Sequence, residues 1–259
     1  MDVVYFVQHS QHDDWELRYS LRSVAKSMPW IRKVWIFGDR PKFLSHDWST
    51  IEHVSWEQIA WVGRFKTPVK NFFLQLFLAS LWPELDFEFL VFCDDYIVLD
   101  NVSPIVAKRI RYLENLDEIK VRGTGVWKQS LWRTYDWLKQ LGYPGYNFST
   151  HTPTYMTKKR VFEAYADLED FVTEDRFAGM LFEPAILNHA YRKQPFPLTD
   201  ISEEGLCAGI HDHPMSYDDI SRMCVGKSYL NFDDICFTEG MRRFLIERFP
   251  TPCVFESSL

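Results

Sequence analysis

The 259 residues carry 29 Lys and Arg against 36 Asp and Glu, a net charge of −7, and are 46% hydrophobic and 25% charged. This excludes a disordered chain. With no long basic run it also argues against a general grip on nucleic-acid phosphates and favours a small-molecule or carbohydrate substrate. Five cysteines, Cys93, Cys207, Cys224, Cys236 and Cys253, are odd in number and lack Cys-x-x-Cys spacing, which argues against a disulfide framework and a zinc site.

Residues 1–10 do not read as a signal peptide, and the longest apolar region, 72–82, is too short to span a bilayer. The expected location is cytoplasmic.

In chain order, residues 3–7 are an apolar run that predicts a buried strand. Residues 16–28 predict a helix, because Leu17, Leu21, Val24, Ala25 and Met28 share one face. Asp13 or Asp14 can cap its start, and Pro29 sits at its end. A second strand is predicted at 31–37, followed by a Gly38-Asp39-Arg40-Pro41 turn. A second helix is predicted at 68–82, with Pro68 in its first turn and Val69, Phe72, Phe73, Leu76 and Phe77 inward. Residues 87–93 form a third strand, apolar at nearly every position, as in strands buried on both faces.

This alternation implies a mostly parallel sheet flanked by helices, with ligands at the carboxyl ends of its strands, near 8–14, 38–40 and 94–100. The second half is less regular. Helices are predicted at 131–141, 158–171, 184–191 and 238–249, with a turn-rich loop at 142–154 and mostly loop at 195–213. No linker separates two domains, so one α/β domain is expected.

The sharpest chemical signal is Asp94-Asp95, where a buried strand ends. Two adjacent carboxylates are costly to bury unpaired, and a hard cation with oxygen ligands, Mg²⁺ or Mn²⁺, resolves that while bridging two phosphates. Cys93-Asp94-Asp95 resembles the Asp-x-Asp type metal motif of GT-A glycosyltransferases. The resemblance makes Asp95 the main metal ligand and Asp94 a ribose contact or second ligand. It also makes residues 1–100 the nucleotide-binding half and 101–259 the acceptor-side half.

Asp2-Val-Val-Tyr5, Glu16 to Val24, Pro29 to Val34, Phe92-Cys-Asp-Asp-Tyr96, His151-Thr-Pro153 and Phe249 to Glu256 resemble, in order, segments of the Stealth family of sugar-phosphate transferases. The family's Trp-Val-Asp-Gly segment is replaced by Phe6-Val-Gln-His9. The chain is similar as well to small phage and bacterial GT-A-like transferases, some of which act on modified DNA bases.

Other residues carry paired readings. Arg18 and Arg22 share a helical face and suit phosphate, or a salt bridge. Asp39 can accept from a base or ribose, or simply form its turn. Lys66, Lys70 and Asn71 flank a helix start, where they can meet phosphate or remain solvated. His151, by the family resemblance, is a base or acceptor contact. Glu183 opens a helix, as a dipole partner or as the base that deprotonates the acceptor. His211 or His213 can complete a metal shell. Asp233-Asp234 is a second acidic strand end that can return beside Asp95, or cap the following helix.

The expected activity is metal-dependent transfer of a sugar from a nucleotide-diphosphate sugar to an acceptor hydroxyl. The metal is held by Asp94, Asp95 and His213, the donor by Arg18, Arg22, Asp39, Lys70 and Asp94, and the base is Glu183, His151 or Asp233. Sugar-1-phosphate transfer, DNA-base glycosylation and a non-catalytic carbohydrate- or nucleotide-binding module are the alternatives.

Overall fold

The computed structural model describes residues 1–47, 49–66, 69–175 and 178–257. The chain runs β1 (Asp2–Val7), α1 (Trp15–Ser27), β2 (Val34–Gly38), β3 (Ile51–Val54), α2 (Trp56–Val62), α3 (Phe72–Ser80), β4 (Glu88–Phe92) and β5 (Tyr96–Val98). It continues with α4 (Pro104–Ala107), β6 (Ile110–Tyr112), β7 (Glu114–Asn115), α5 (Val126–Gln140), β8 (Tyr146–Asn147), β9 (Thr154–Thr157), α6 (Lys158–Leu168) and α7 (Phe182–Lys193). It closes with β10 (Leu198–Asp200), α8 (Ile201–Glu204), β11 (Cys207–Ile210), α9 (Tyr217–Met223), β12 (Tyr229–Phe232) and α10 (Glu239–Arg248).

The main sheet has the order β3-β2-β1-β4-β9. Its first four strands are parallel, and β9 runs antiparallel on β4. Val3, Val4, Val7, Phe89, Leu90, Val91 and Phe92 are buried, as strands covered on both faces require. A second sheet, β11-β12-β5, pairs β12 antiparallel to β5.

Helix α1 joins the two sheets. Leu17, Leu21 and Val24 enter the main core. Ser20, Ser23 and Ser27 lie along a second stripe and bind β5: the Ser20 hydroxyl donates to Tyr96 O at 2.5 Å, and Ser23 Oγ accepts from Val98 N at 2.9 Å.

Several local expectations change. Asp14 does occupy the N-cap position of α1, but it is left-handed (φ 58°) and its side chain makes no cap bond. Its carboxylate turns back to accept from Ser10 N at 2.9 Å and pairs with His9 Nδ1 at 2.7 Å. The second helix is capped by Asn71, whose side chain accepts from Phe73 N and Leu74 N, so it begins at Phe72. Pro68 lies outside the described residues.

Strand β3 and helix α2 lie outside the sequence reading. β3 has four residues, two of them polar, too short to show a period. α2 did leave a signal: Ser55 and Gln58 form a capping box. The stretch 195–213, expected to be mostly loop, holds β10, α8 and β11, each of three or four residues. α10 falls within its predicted limits, between Thr238 and Phe249.

Candidate active site

Strand β4 belongs to the main sheet and β5 to the small one. Cys93, Asp94 and Asp95 are the three residues that cross between them. The register of β12 on β5 sets Asn231 opposite Tyr96, so the end of β12 returns beside Asp95. Asn231 Nδ2 donates to Asp95 Oδ2 at 2.7 Å. Asn231 is itself buried, and its Oδ1 has no hydrogen-bond donor.

Asp94 and Asp95 are half-buried where the two sheets meet. Burial, then the charge of Glu16, with Asp234 and Asp14 behind it, pushes Asp94 up to about 6. Burial, then the neighbouring Asp94, with Asp233 and Asp234, raises Asp95 well above the usual carboxylate range. Acids from the start of α1, from just past the end of β4 and from just past the end of β12 therefore share one space. Among the described residues no Lys or Arg is ion-paired with any of them: Asp14 has His9 at 2.7 Å, Glu16 has His12 at 3.9 Å and Asp233 has His211 at 2.9 Å.

Glu183 approaches this group from the first turn of α7. Burial pushes its carboxyl up to about 7, while the Ser149 hydroxyl, donating to Oε2 at 3.0 Å, pulls the other way. Its charge reaches the Cys93 thiol. Cys93 is open to solvent but ringed by protein atoms, and is raised by burial, then by Asp95, Glu183 and Asp94.

On the rim, His211 Nδ1 donates to Asp233 Oδ1 at 2.9 Å, since a carboxylate only accepts. His151 lies against His211 with ring centroids 5.2 Å apart, and holds a left-handed backbone (φ 53°). Burial, then the charge of His211, lowers the His151 pKa, which keeps its ring neutral. Asp39, at the end of β2, accepts from His9 N at 2.9 Å beside the same strand ends.

The structure thus brings together Asp94, Asp95, Glu183, Asp233, His151 and Asp39, and separates four other residues from them. Arg18 and Arg22 share a face of α1 as predicted, but that face meets the C-terminal tail. Arg22 donates to both oxygens of Glu256, at 2.6 and 2.9 Å, and to Phe249 O at 3.0 Å. Arg18 lies 3.1 Å from Glu256, between the rings of Trp15 and Phe43. Neither faces the carboxylates.

His213 is exposed, with its N–H on His211 O. Residues i and i+2 share a face only in an extended chain, and Asp212 is left-handed (φ 64°), which turns His213 outward while His211 stays in. Lys70 is exposed and bonds Glu174 O through its backbone.

Sequence reasoning missed Asn231, Glu16 and Arg242. Asn231 was visible as the one amide in an otherwise apolar strand. Arg242, in the first turn of α10, lies 3.2 Å from His12 Nδ1, and His12 faces Glu16.

No protein-family model matches the chain, and no curated protein matches it in sequence. Solved structures do match in fold. The galactosyltransferase LgtC in complex with donor and acceptor sugar analogs is 13% identical, with a TM-score of 0.51 and 97% of each chain covered. An active-site mutant of LgtC is 14% identical, with a TM-score of 0.50 and the same coverage. Mouse xyloside xylosyltransferase 1 is 10% identical, covering 92% of this chain and 99% of its own, with a TM-score of 0.44. With the sheet order above, the LgtC likeness establishes a GT-A-like fold: a mainly parallel central sheet flanked by helices.

Proposed function

We propose that this chain is a glycosyltransferase that moves a sugar from a nucleotide-diphosphate sugar to an acceptor hydroxyl, with Mg²⁺ or Mn²⁺ held by Asp94 and Asp95. The observation that carries the reading is the group of acids at the junction of the two sheets, which among the described residues have no Lys or Arg ion pair. It lies in a fold shared with LgtC, whose solved complex holds donor and acceptor sugar analogs.

The residues fit a hard cation. Asp94 and Asp95 are uncompensated oxygen ligands, and the orphaned Asn231 Oδ1 lies beside them. Among the described residues no three His, Cys, Asp or Glu side chains form a ready cage. A cation here fills its shell partly from substrate phosphates, which is how Mg²⁺ is commonly held. When bound, it supplies Lewis-acid stabilisation of charge building on the departing diphosphate.

The chain's own residues divide the remaining work. Asp39 and the loop after β1 take the nucleoside. Arg242 and His12, in place of Arg18 and Arg22, meet the diphosphate from beside Glu16. Glu183, poised near neutrality, takes the proton of the acceptor hydroxyl. His151 and the His211–Asp233 pair orient the acceptor on the rim.

The test is a screen of UDP-, GDP-, CMP- and dTDP-sugars with and without Mn²⁺. One donor should raise the melting temperature in a metal-dependent way. Turnover should release UDP rather than UMP if the donor is a UDP-sugar; UMP would instead mean sugar-phosphate transfer. Asp95→Asn should abolish turnover. Glu183→Gln should lower kcat by about 10²–10⁴ with donor binding kept. The reading fails if no nucleotide sugar shifts the melt under any condition.

A further inference from the structure

Arg160 is a guanidinium without an acid. It lies in the first turn of α6, between the rings of Tyr155 and Phe196, 5.4 and 4.7 Å from their centroids. Its Nη1 is shut from solvent with no hydrogen-bond partner, and among the described residues the guanidinium has no ion pair. The acid that acts on it is Glu88, whose oxygens are already taken: Oε1 by the Tyr155 hydroxyl and Oε2 by Lys108 Nζ at 2.6 Å. Burial holds Arg160 below the ordinary arginine value.

The side chain lines a cleft of about 380 Å³ with Thr157, Lys159, Lys193, Gln194 and Phe196. That volume suits a small ligand. Lys159 is largely exposed and only 3.9 Å from Glu163, the one acid of the lining; Lys193 is shared with Asp167 at 2.7 Å. Three cations and one acid meet here on a chain of net charge −7.

A partly desolvated cation calls for a counter-charge, and among the described residues no acid is ion-paired with this one. A guanidinium pairs best with an oxyanion that can accept two parallel N–H bonds, and flanking lysines add point charge. Lys193 is already paired with Asp167 and Lys159 only loosely with Glu163, so the free charge is centred on Arg160. A carboxylate offers it two oxygens and one charge, whereas a phosphate offers three or more oxygens and up to two charges, enough to engage Lys159 as well.

We propose that this cleft is a second binding site, for a small phosphate-class dianion, either the free ion or the phosphate of a small ester. It is separate from the carboxylate cluster. Thr157 pairs with Glu88 at the start of β4, and Asp94 lies six residues further along, roughly 20 Å away. The acids there repel phosphate when no cation is present.

The test is calorimetric titration of inorganic phosphate and of glucose 1-phosphate into the full chain in EDTA, at ionic strength matched with chloride. Saturable binding in the wild type, weakened about tenfold or more by Arg160→Met, is the expected result. Arg160→Met should not lower the melting temperature without phosphate, because it removes an unpaired charge. Lys159→Glu, a change at an exposed position, should also weaken binding and serves if Arg160→Met fails to fold. Tighter binding of glucose 1-phosphate assigns the cleft to an ester and equal binding to the free ion; both support the proposal. Absence of saturable binding at millimolar phosphate, or binding equal to wild type in both variants, overturns it.

Discussion

Glu256 has Arg22 on both of its oxygens, Arg18 beside it and the Cys253 N–H on Oε1. Asp95 has one amide donor, Asn231, and Asp94, Asp233 and Asp234 for neighbours. Both carboxylates are drawn away from water, yet they shift in opposite directions. Burial alone would raise Glu256, but the Arg22 hydrogen bonds, the Cys253 N–H and the two arginine charges outweigh it and hold the carboxyl below its ordinary value. Among the described residues nothing outweighs burial in this way at Asp95. Asp2 is likewise supplied with donors from within the fold: fully buried, it accepts from Arg32 Nε, Trp35 Nε1 and Asp86 N at 2.8 to 3.0 Å. The contrast separates acids matched by donors and cations within the fold from acids whose neighbours are mainly other acids.

Breaking the tail clamp should have the largest effect. Glu256→Leu strands the Arg22 charge in a buried site and should destabilise the fold by about 3–5 kcal/mol in urea unfolding. Arg22→Met together with Glu256→Leu should recover much of the loss. The wild type carries a matching pH signature. Because the folded Glu256 pKa is depressed, its contribution is full above the unfolded carboxyl value and is lost as pH falls through the folded one. A loss under about 1 kcal/mol in the single variant would place the pair with weak surface bridges.

The reverse result is expected at the carboxylate cluster. Raising a carboxyl from 3.8 to about 6 works against folding at neutral pH by at most about 3 kcal/mol. Asp94→Asn should therefore stabilise the protein in EDTA by about 1–3 kcal/mol, measured at pH 7.5. With Mn²⁺ present the order should invert, because the wild type gains a ligand that the variant binds less well. Destabilisation by Asp94→Asn without metal would mean that the cluster is compensated after all, and would remove the contrast with Glu256.

The two kinds of acid were not equally legible. Asp94 and Asp95 interrupt an apolar strand, and Glu183 follows a phenylalanine at a helix start, so a local reading finds them. α1 and α10 were equally plain, since their apolar residues repeat at helical spacing along one face. Arg22 and Glu256 are 234 positions apart, and no local pattern records which face of α1 the tail covers. The same limit explains Arg18. His213 was lost for a different reason: a single left-handed residue, Asp212, breaks the alternation that would have paired it with His211. Strand β3 and the elements inside 195–213 are simply shorter than the periods used to detect them.

Glu183 belongs with Asp95, raised by burial and given one side-chain donor, but no neighbouring acid adds to its rise, and it gives the smallest and most discriminating test. Its carboxyl is pushed up to about 7 by burial, and the Ser149 hydroxyl moderates that rise. A base works ionised, so kcat/KM should rise with pH through about 7. Ser149→Ala removes a bond made to the charged form, which favours the protonated carboxyl. The rising limb should move to higher pH by about one pH unit, with the plateau little changed. If the plateau falls while the limb stays in place, Glu183 is not the titrating base. The neutral ring of His151, whose pKa burial and His211 hold low, then becomes the group to replace.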